Sequence, residues 1–259
     1  IKTDAMKTMF LIPVLVIAWI TVHGQTSSGI NNSGKIRYEE KMKLEIKLEG
    51  QSAQYADMLP KERTEQKILY FSPDASLYQR DREKQKNEVV EQEAAGAMVH
   101  FQVYQSDDKV YRDLKENKKL EQREFMTRMF LIESDAGMAD WKLTGEQKVI
   151  LNYPCQEALR EEDGKKIRAW FTPAIPVSSG PQNFGSLPGM ILSVDIDNGD
   201  RTITASSVEL SPVDQDLLVK PKDGKKVTEE QYRKIVDKKL KESGAEGGSG
   251  QHTVIKIQM

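Results

Sequence analysis

Residues 35–48 read KIRYEEKMKLEIKL, with apolar side chains at Ile36, Tyr38, Met42, Leu44, Ile46 and Leu48 and charges at nearly every position between. A period of two puts one face in a core and the other in water, so a long strand is predicted here. Only Glu40 interrupts the apolar face. Residues 67–72 and 75–79 form two further apolar runs around a Ser-Pro-Asp turn. Residues 97–104 alternate through Val99, Phe101 and Val103, and 129–132 make another short run. The charged stretch 81–93 reads as a solvated loop or helix.

Two hairpins carry their own register. Asn198-Gly199 favours a two-residue turn with φ > 0 at both positions, pairing Ile196 with Arg201, Val194 with Ile203 and Leu192 with Ala205. The apolar members then share one face. Asp163-Gly164 pairs Leu159 with Arg168, Glu157 with Trp170 and Cys155 with Thr172. Apolar residues fall on both faces of that hairpin, which predicts cover on both sides. Near the C-terminus the period changes. Tyr232, Ile235, Val236 and Leu240 form a helical stripe, Thr228 and Gln231 form a capping box, and Gly244 stops the helix. A Gly-rich linker at 247–250 leads to a tail that either adds an edge strand or stays free. The predicted class is α+β, mainly β: a curved antiparallel sheet or half-barrel with a C-terminal helix. The predicted divisions are 1–24, a single β-rich domain at 25–225, and helix, linker and tail at 226–259.

The first division is an address. Residues 9–22 (MFLIPVLVIAWITV) carry no charge, follow Lys2 and Lys7, and precede a small residue, Gly24. This is a signal-peptide pattern, and the run is too short for a membrane span. Met6 reads as the initiator and residues 1–5 as an upstream artefact. Removal of 1–24 leaves 235 of the 259 residues, so an exported protein with no stable span afterwards is expected.

Composition narrows the chemistry. The 38 basic and 40 acidic residues give a net charge of −2, which offers no electrostatic case for nucleic acid. One cysteine excludes an internal disulfide framework and a Cys-rich zinc site. Of three histidines, His23 leaves with the signal and His100 and His252 sit in unlike places, so neither a metal nor a cofactor is expected. Asp195, Asp197, Asn198 and Asp200 lack calcium-loop spacing and read as turn chemistry. An enzyme would have to use Cys155 with His100, or one of the carboxylate pairs Glu39-Glu40, Asp107-Asp108, Glu161-Glu162 and Glu229-Glu230, as a hydrolase. A buried, inert cysteine and solvated carboxylates are the simpler account, and the chain reads as a non-enzyme.

Residues 178–192 (SSGPQNFGSLPGMIL) crowd glycine and proline among Phe184, Leu187 and Met190. Such a segment is a fixed loop: either a plug packed on the sheet, or a rigid ligand or partner loop. Ser186-Leu187-Pro188-Gly189-Met190-Ile191 resembles the Gly-Leu-Pro-Gly-Leu-Ile motif of the GLPGLI family, with Ser186 for Gly and Met190 for Leu. Lys35-Ile36-Arg37-Tyr38-Glu39, Trp141-Lys142-Leu143-Thr144, Tyr153-Pro154-Cys155 and Ala169-Trp170-Phe171-Thr172 also resemble family runs, so the likeness extends over about 35–210. The resemblance implies an exported protein of the Gram-negative cell envelope, in the periplasm or secreted, of unknown biochemistry, often found near outer-membrane transport systems, with no catalytic residues to carry over. The expected function is a binding or accessory protein for an apolar small molecule or lipid, or for an outer-membrane transporter. Its candidate contact residues are Trp141, Tyr153, Trp170, Phe184, Leu187, Pro188, Gly189 and Met190. A structural envelope protein without a ligand is the alternative.

Overall fold

A computed structural model describes residues 32–44, 60–84, 89–94, 97–103, 107–242 and 255–258. The proposed signal segment, residues 45–48 of the first apolar pattern and the Gly-rich linker lie outside the described residues. Strands follow as β1 (Gly34–Lys43), β2 (Glu62–Phe71), β3 (Ala75–Arg80), β4 (Val89–Ala94), β5 (Ala97–Val103), β6 (Lys109–Asp113), β7 (Lys118–Phe125) and β8 (Arg128–Asp135). Then come β9 (Lys142–Ile150), β10 (Tyr153–Glu162), β11 (Lys165–Thr172), β12 (Met190–Ile196), β13 (Arg201–Leu210), β14 (Lys225–Val227), helix α1 (Glu229–Glu242) and β15 (Ile255–Gln258).

Twelve strands form one open sheet in the order β14-β8-β7-β6-β3-β2-β1-β13-β12-β11-β10-β9. Every pairing is antiparallel except β14 on β8. β1 joins two meanders: it pairs with β2 on one side and β13 on the other, with a bulge between Arg37 and Tyr38 on the β13 side. Its alternation decides this central place. Gly34, Ile36, Tyr38 and Glu40 are buried, and the residues between them are only half-buried.

The sheet is strongly curved. Strands β6 and β10 stand seven steps apart in the sheet order, about 34 Å if flat. Yet Arg112 on β6 donates to the Asn183 carbonyl (3.3 Å), and the Arg160 guanidinium on β10 lies 5.3 Å from the Phe184 ring centroid. Two side chains so far apart in a flat sheet reach adjacent residues of one loop only if the sheet rolls into a trough.

Both predicted hairpin registers are present. Ile196 faces Arg201 and Val194 faces Ile203. Leu159 faces Arg168, Glu157 faces Trp170, and that ladder ends at Gln156 opposite Phe171. At the first turn the left-handed backbone begins one residue early, at Asp197 (φ 54°), and the Asp195 carboxylate accepts the Gly199 N–H (2.7 Å). The stretch 81–93 departs from its solvated-loop or helix expectation, because 89–94 is β4. Its two β-branched valines favour a strand, and β5 supplies the ladder. The tail adds β15 to the far side of β5 as an edge strand.

The helix forms as its pattern predicts. Thr228 N–H donates to the Gln231 side chain (3.0 Å) and Gln231 N–H to the Thr228 hydroxyl (3.2 Å). Tyr232, Ile235 and Val236 pack on Phe125, Phe130 and Ile132, and Tyr232 meets Phe130 edge-on at 5.4 Å. Among the described residues no helix is long and apolar enough to cross a membrane. Thr228→Ala removes one arm of the cap and is expected to lower stability by about 1 kcal/mol in urea denaturation; an unchanged midpoint would contradict that role.

Candidate functional site

The trough is lined by Ile36 and Tyr38 of β1, Leu69 and Phe71 of β2, Tyr78 of β3, and the inward residues of β10 to β13. Residues 173–189, joining β11 to β12, lie in it. Ile175, Val177 and Ser179 point inward in an extended run, and Pro176 and Ser178 point out. The segment is tied at several points. Met190 N–H donates to the Ile175 carbonyl (3.0 Å) and Ile191 N–H to that of Ser179 (2.9 Å). The Ser179 hydroxyl bonds that of Ser76 (2.7 Å), and the Tyr38 hydroxyl donates to the Ile191 carbonyl (2.7 Å). Gly189 holds φ 149° against the Thr172 carbonyl, where any Cβ would overlap.

The eight predicted contact residues therefore divide. Phe184, Leu187 and Met190 are at most 3% exposed and belong to the core. Gly189 is buried and Pro188 exposed. Trp141 is half-buried and donates its indole N–H to the Gly185 carbonyl (2.9 Å). The Arg160 guanidinium covers its ring at 4.8 Å. Tyr153 and Trp170 are half-buried, and the Lys148 ammonium stands 4.2 Å over the Trp170 ring on the outer face of the hairpin. Of the eight, Trp141 is hydrogen-bonded to the 184–190 segment, and Tyr153 and Trp170 pack at the margin of the same core. The apolar volume expected for a ligand is occupied by the protein's own side chains, each worth about 2 kcal/mol in place.

At one end of the trough the lining turns from apolar to charged. Glu40 is 2% exposed. Arg201 Nε donates to its carboxylate (2.7 Å), Gln182 donates at 3.0 Å from the plug, and the Tyr78 hydroxyl donates at 3.2 Å. Opposite Glu40 on β2, Glu65 is held between Arg63 and Lys67, with Lys67 Nζ at 2.6 Å. On β7 the buried Glu121 pairs with Lys119 (2.5 Å) and with Arg123 (2.7 Å). Burial pushes the Glu65 and Glu121 carboxyls up, but the flanking cations outweigh it and hold both below the ordinary value. The sequence marked these buried carboxylates once, by Glu40 on an otherwise apolar face. Arg112, Arg160, Gln182 and Arg201 carry no local signal at all.

Cys155 is 1% exposed, and its thiol donates to the Tyr153 carbonyl (3.4 Å). Burial pushes the thiol pKa up, away from the thiolate. His100 belongs to β5 of the separate three-stranded sheet. The carboxylate pairs do not share a cleft. Glu40 is buried, and the neighbouring Glu39 pairs outward with Lys41 (3.0 Å). Asp107 pairs with Arg82 (2.8 Å), and the Asp108 carboxylate accepts the Glu124 N–H (2.8 Å). Glu161 and Glu162 are exposed beside the β10–β11 turn. Glu229 and Glu230 occupy the first turn of α1.

The class defined by this geometry is an open, plugged β-trough. Residues 156–193, which span β10, β11, the plug and the start of β12, match the family model described as "Protein of unknown function (Porph_ging)". No curated protein matches the chain by sequence. Among solved structures, PNGF-II is similar in both its P21 and C2 crystal forms, at 17% identity and a TM-score of 0.53. The match covers 80% of this chain and 33% of PNGF-II, so the chain spans about a third of that protein's length and the likeness is one of fold.

Two outcomes follow from the buried charges and the thiol. The lowered carboxyls of Glu65 and Glu121 stabilise the fold fully above the ordinary glutamate value near 4.5, and that stability is lost as pH falls through their lower folded values. Glu65→Gln is expected to cost about 3 kcal/mol at neutral pH and to flatten the acid limb of a stability–pH curve; an acid limb as steep as wild type would refute the assignment. A disulfide reagent is expected to label Cys155 only at the rate of unfolding, and rapid labelling of native protein would place a thiolate at the surface.

Proposed function

We propose that this chain is an exported cell-envelope protein of the GLPGLI type, working as a binding or accessory protein through its outer surface. The Ser186–Ile191 motif, the apolar run at 9–22 and the family match over 156–193 support this reading. The observation that carries it is the β9 edge of the sheet, on which no other strand pairs among the described residues. β9 ends the strand order, and all of its residues but Ile150 are exposed. Val149 is 70% exposed, Leu143 59% and Leu151, just beyond the strand, 38%. A long edge with apolar side chains is a template for an added strand. The partner that fits it is an extended, apolar-alternating segment of an outer-membrane transport protein. An enclosed apolar ligand is disfavoured because the plug fills the trough, and Cys155 is not assigned a hydrolase role because it is buried.

The test combines cell fractionation with a photo-crosslinking residue at Val149 and, as control, at the turn residue Lys165. Processed protein near 235 residues in the envelope fraction, with one discrete adduct from Val149 that Leu143→Lys abolishes, is the expected result. Recovery in the cytoplasm with residues 1–24 retained, or equal adducts from both positions, would overturn it.

A further inference from the structure

The buried cations of the trough follow one rule with one exception. Arg201 has Glu40, Lys67 has Glu65, and the half-buried Arg123 has Glu121. Arg112 is 3% exposed, and among the described residues no carboxylate pairs with it. Its hydrogen bond is a long one, 3.3 Å to the Asn183 carbonyl, and its Nε is buried without a partner. Arg160 approaches the same loop from the opposite wall of the trough, and its Nε is also buried without a partner. Its carboxylate, Glu162, is 50% exposed. Desolvation and the like charge of Arg160 both push the Arg112 guanidinium below its usual range. An uncompensated buried cation costs several kcal/mol, and a second cation facing it adds to that.

The loop is shaped around this arrangement. Gly185 lies flat on the Arg112 guanidinium, so that any Cβ there would overlap it. The Trp141 indole N–H donates to the Gly185 carbonyl at 2.9 Å. Two guanidiniums, one aromatic face and a loop without a carboxylate form a receptor for negative charge.

We propose that Arg112 and Arg160, on either side of Phe184-Gly185, bind an oxyanion: the carboxylate or phosphate group of a small ligand. The anion enters along the half-buried Trp141, replaces Glu162 at Arg160, and supplies the counter-charge that Arg112 lacks. The site lies inside the trough and does not depend on the β9 edge.

The experiment is thermal unfolding of the full chain at low ionic strength, titrated separately with inorganic phosphate and with succinate, each against sodium chloride of equal ionic strength. The expected result is a saturable rise in Tm with one of them, and the anion that produces it distinguishes a phosphoryl from a carboxylate ligand. Arg112→Met, which keeps the apolar stem, is expected to weaken that anion by at least about tenfold. If that variant does not fold, Arg160→Gln carries the comparison, because Arg160 is nearer the surface. No saturable rise with either anion, or an equal rise in wild type and the variant, would overturn the site.

Discussion

A sheet twelve strands wide has more apolar surface on one face than water tolerates, and α1 covers only the β7–β8 end of it. The rest is buried because residues 173–189 fold back into the trough. Every other feature of the interior depends on that segment. It joins β1 through Gln182, β3 through Ser179, β6 through Arg112 and β10 through Arg160. A segment with partners on strands so far apart in the sheet also fixes how far the sheet must curl. Gly185 and Gly189 are required because guanidinium and carbonyl groups come against the loop backbone where no Cβ fits.

The interior is unusual in its charge. Ion pairs buried in a sheet contribute little net stability compared with apolar replacements, yet breaking one is costly. Glu40, whose cation Arg201 stands on the neighbouring β13, therefore works as a register device, since a one-residue slip of β1 would carry its carboxylate to the opposite face. Glu65 and Glu121 are instead flanked by cations on their own strands. Arg112 falls outside this scheme. An uncompensated cation kept in a core needs a reason that packing does not supply, and binding chemistry is such a reason.

The outside of the sheet poses a different problem. β9 ends the sheet, with no further strand paired along its outer side among the described residues. Gly145, at φ 87°, and the register shift opposite Glu157 bend the strand without covering it. Bulges of this kind limit indiscriminate edge-to-edge pairing and leave room for a chosen partner. The surface and the interior can thus serve separate purposes within one fold, and fold likeness to a third of PNGF-II says nothing about either.

Several features were legible in the sequence because they rest on neighbours along the chain. The period of two in β1, the Asp163-Gly164 turn with its register, the capping box of α1 and its apolar stripe all follow from residues a few positions apart. The motif segment could be recognised as fixed, but not as buried. Its aromatic and aliphatic residues suit a plug and a ligand loop equally well, and only the closeness of the opposite wall decides between them. Strand β4 was hidden by its charges, since its ladder comes from a partner and not from its own pattern. Glu40 stood out as a charge on an apolar face, but its partners Arg201 and Gln182 lie more than 140 positions away. Arg112 and Arg160 meet the same loop only because the sheet rolls. Local chemistry fixed the strands, turns and helix, whereas the curvature, and with it the charged lining and the unpaired arginine, arose from contacts between distant segments that no local pattern encodes.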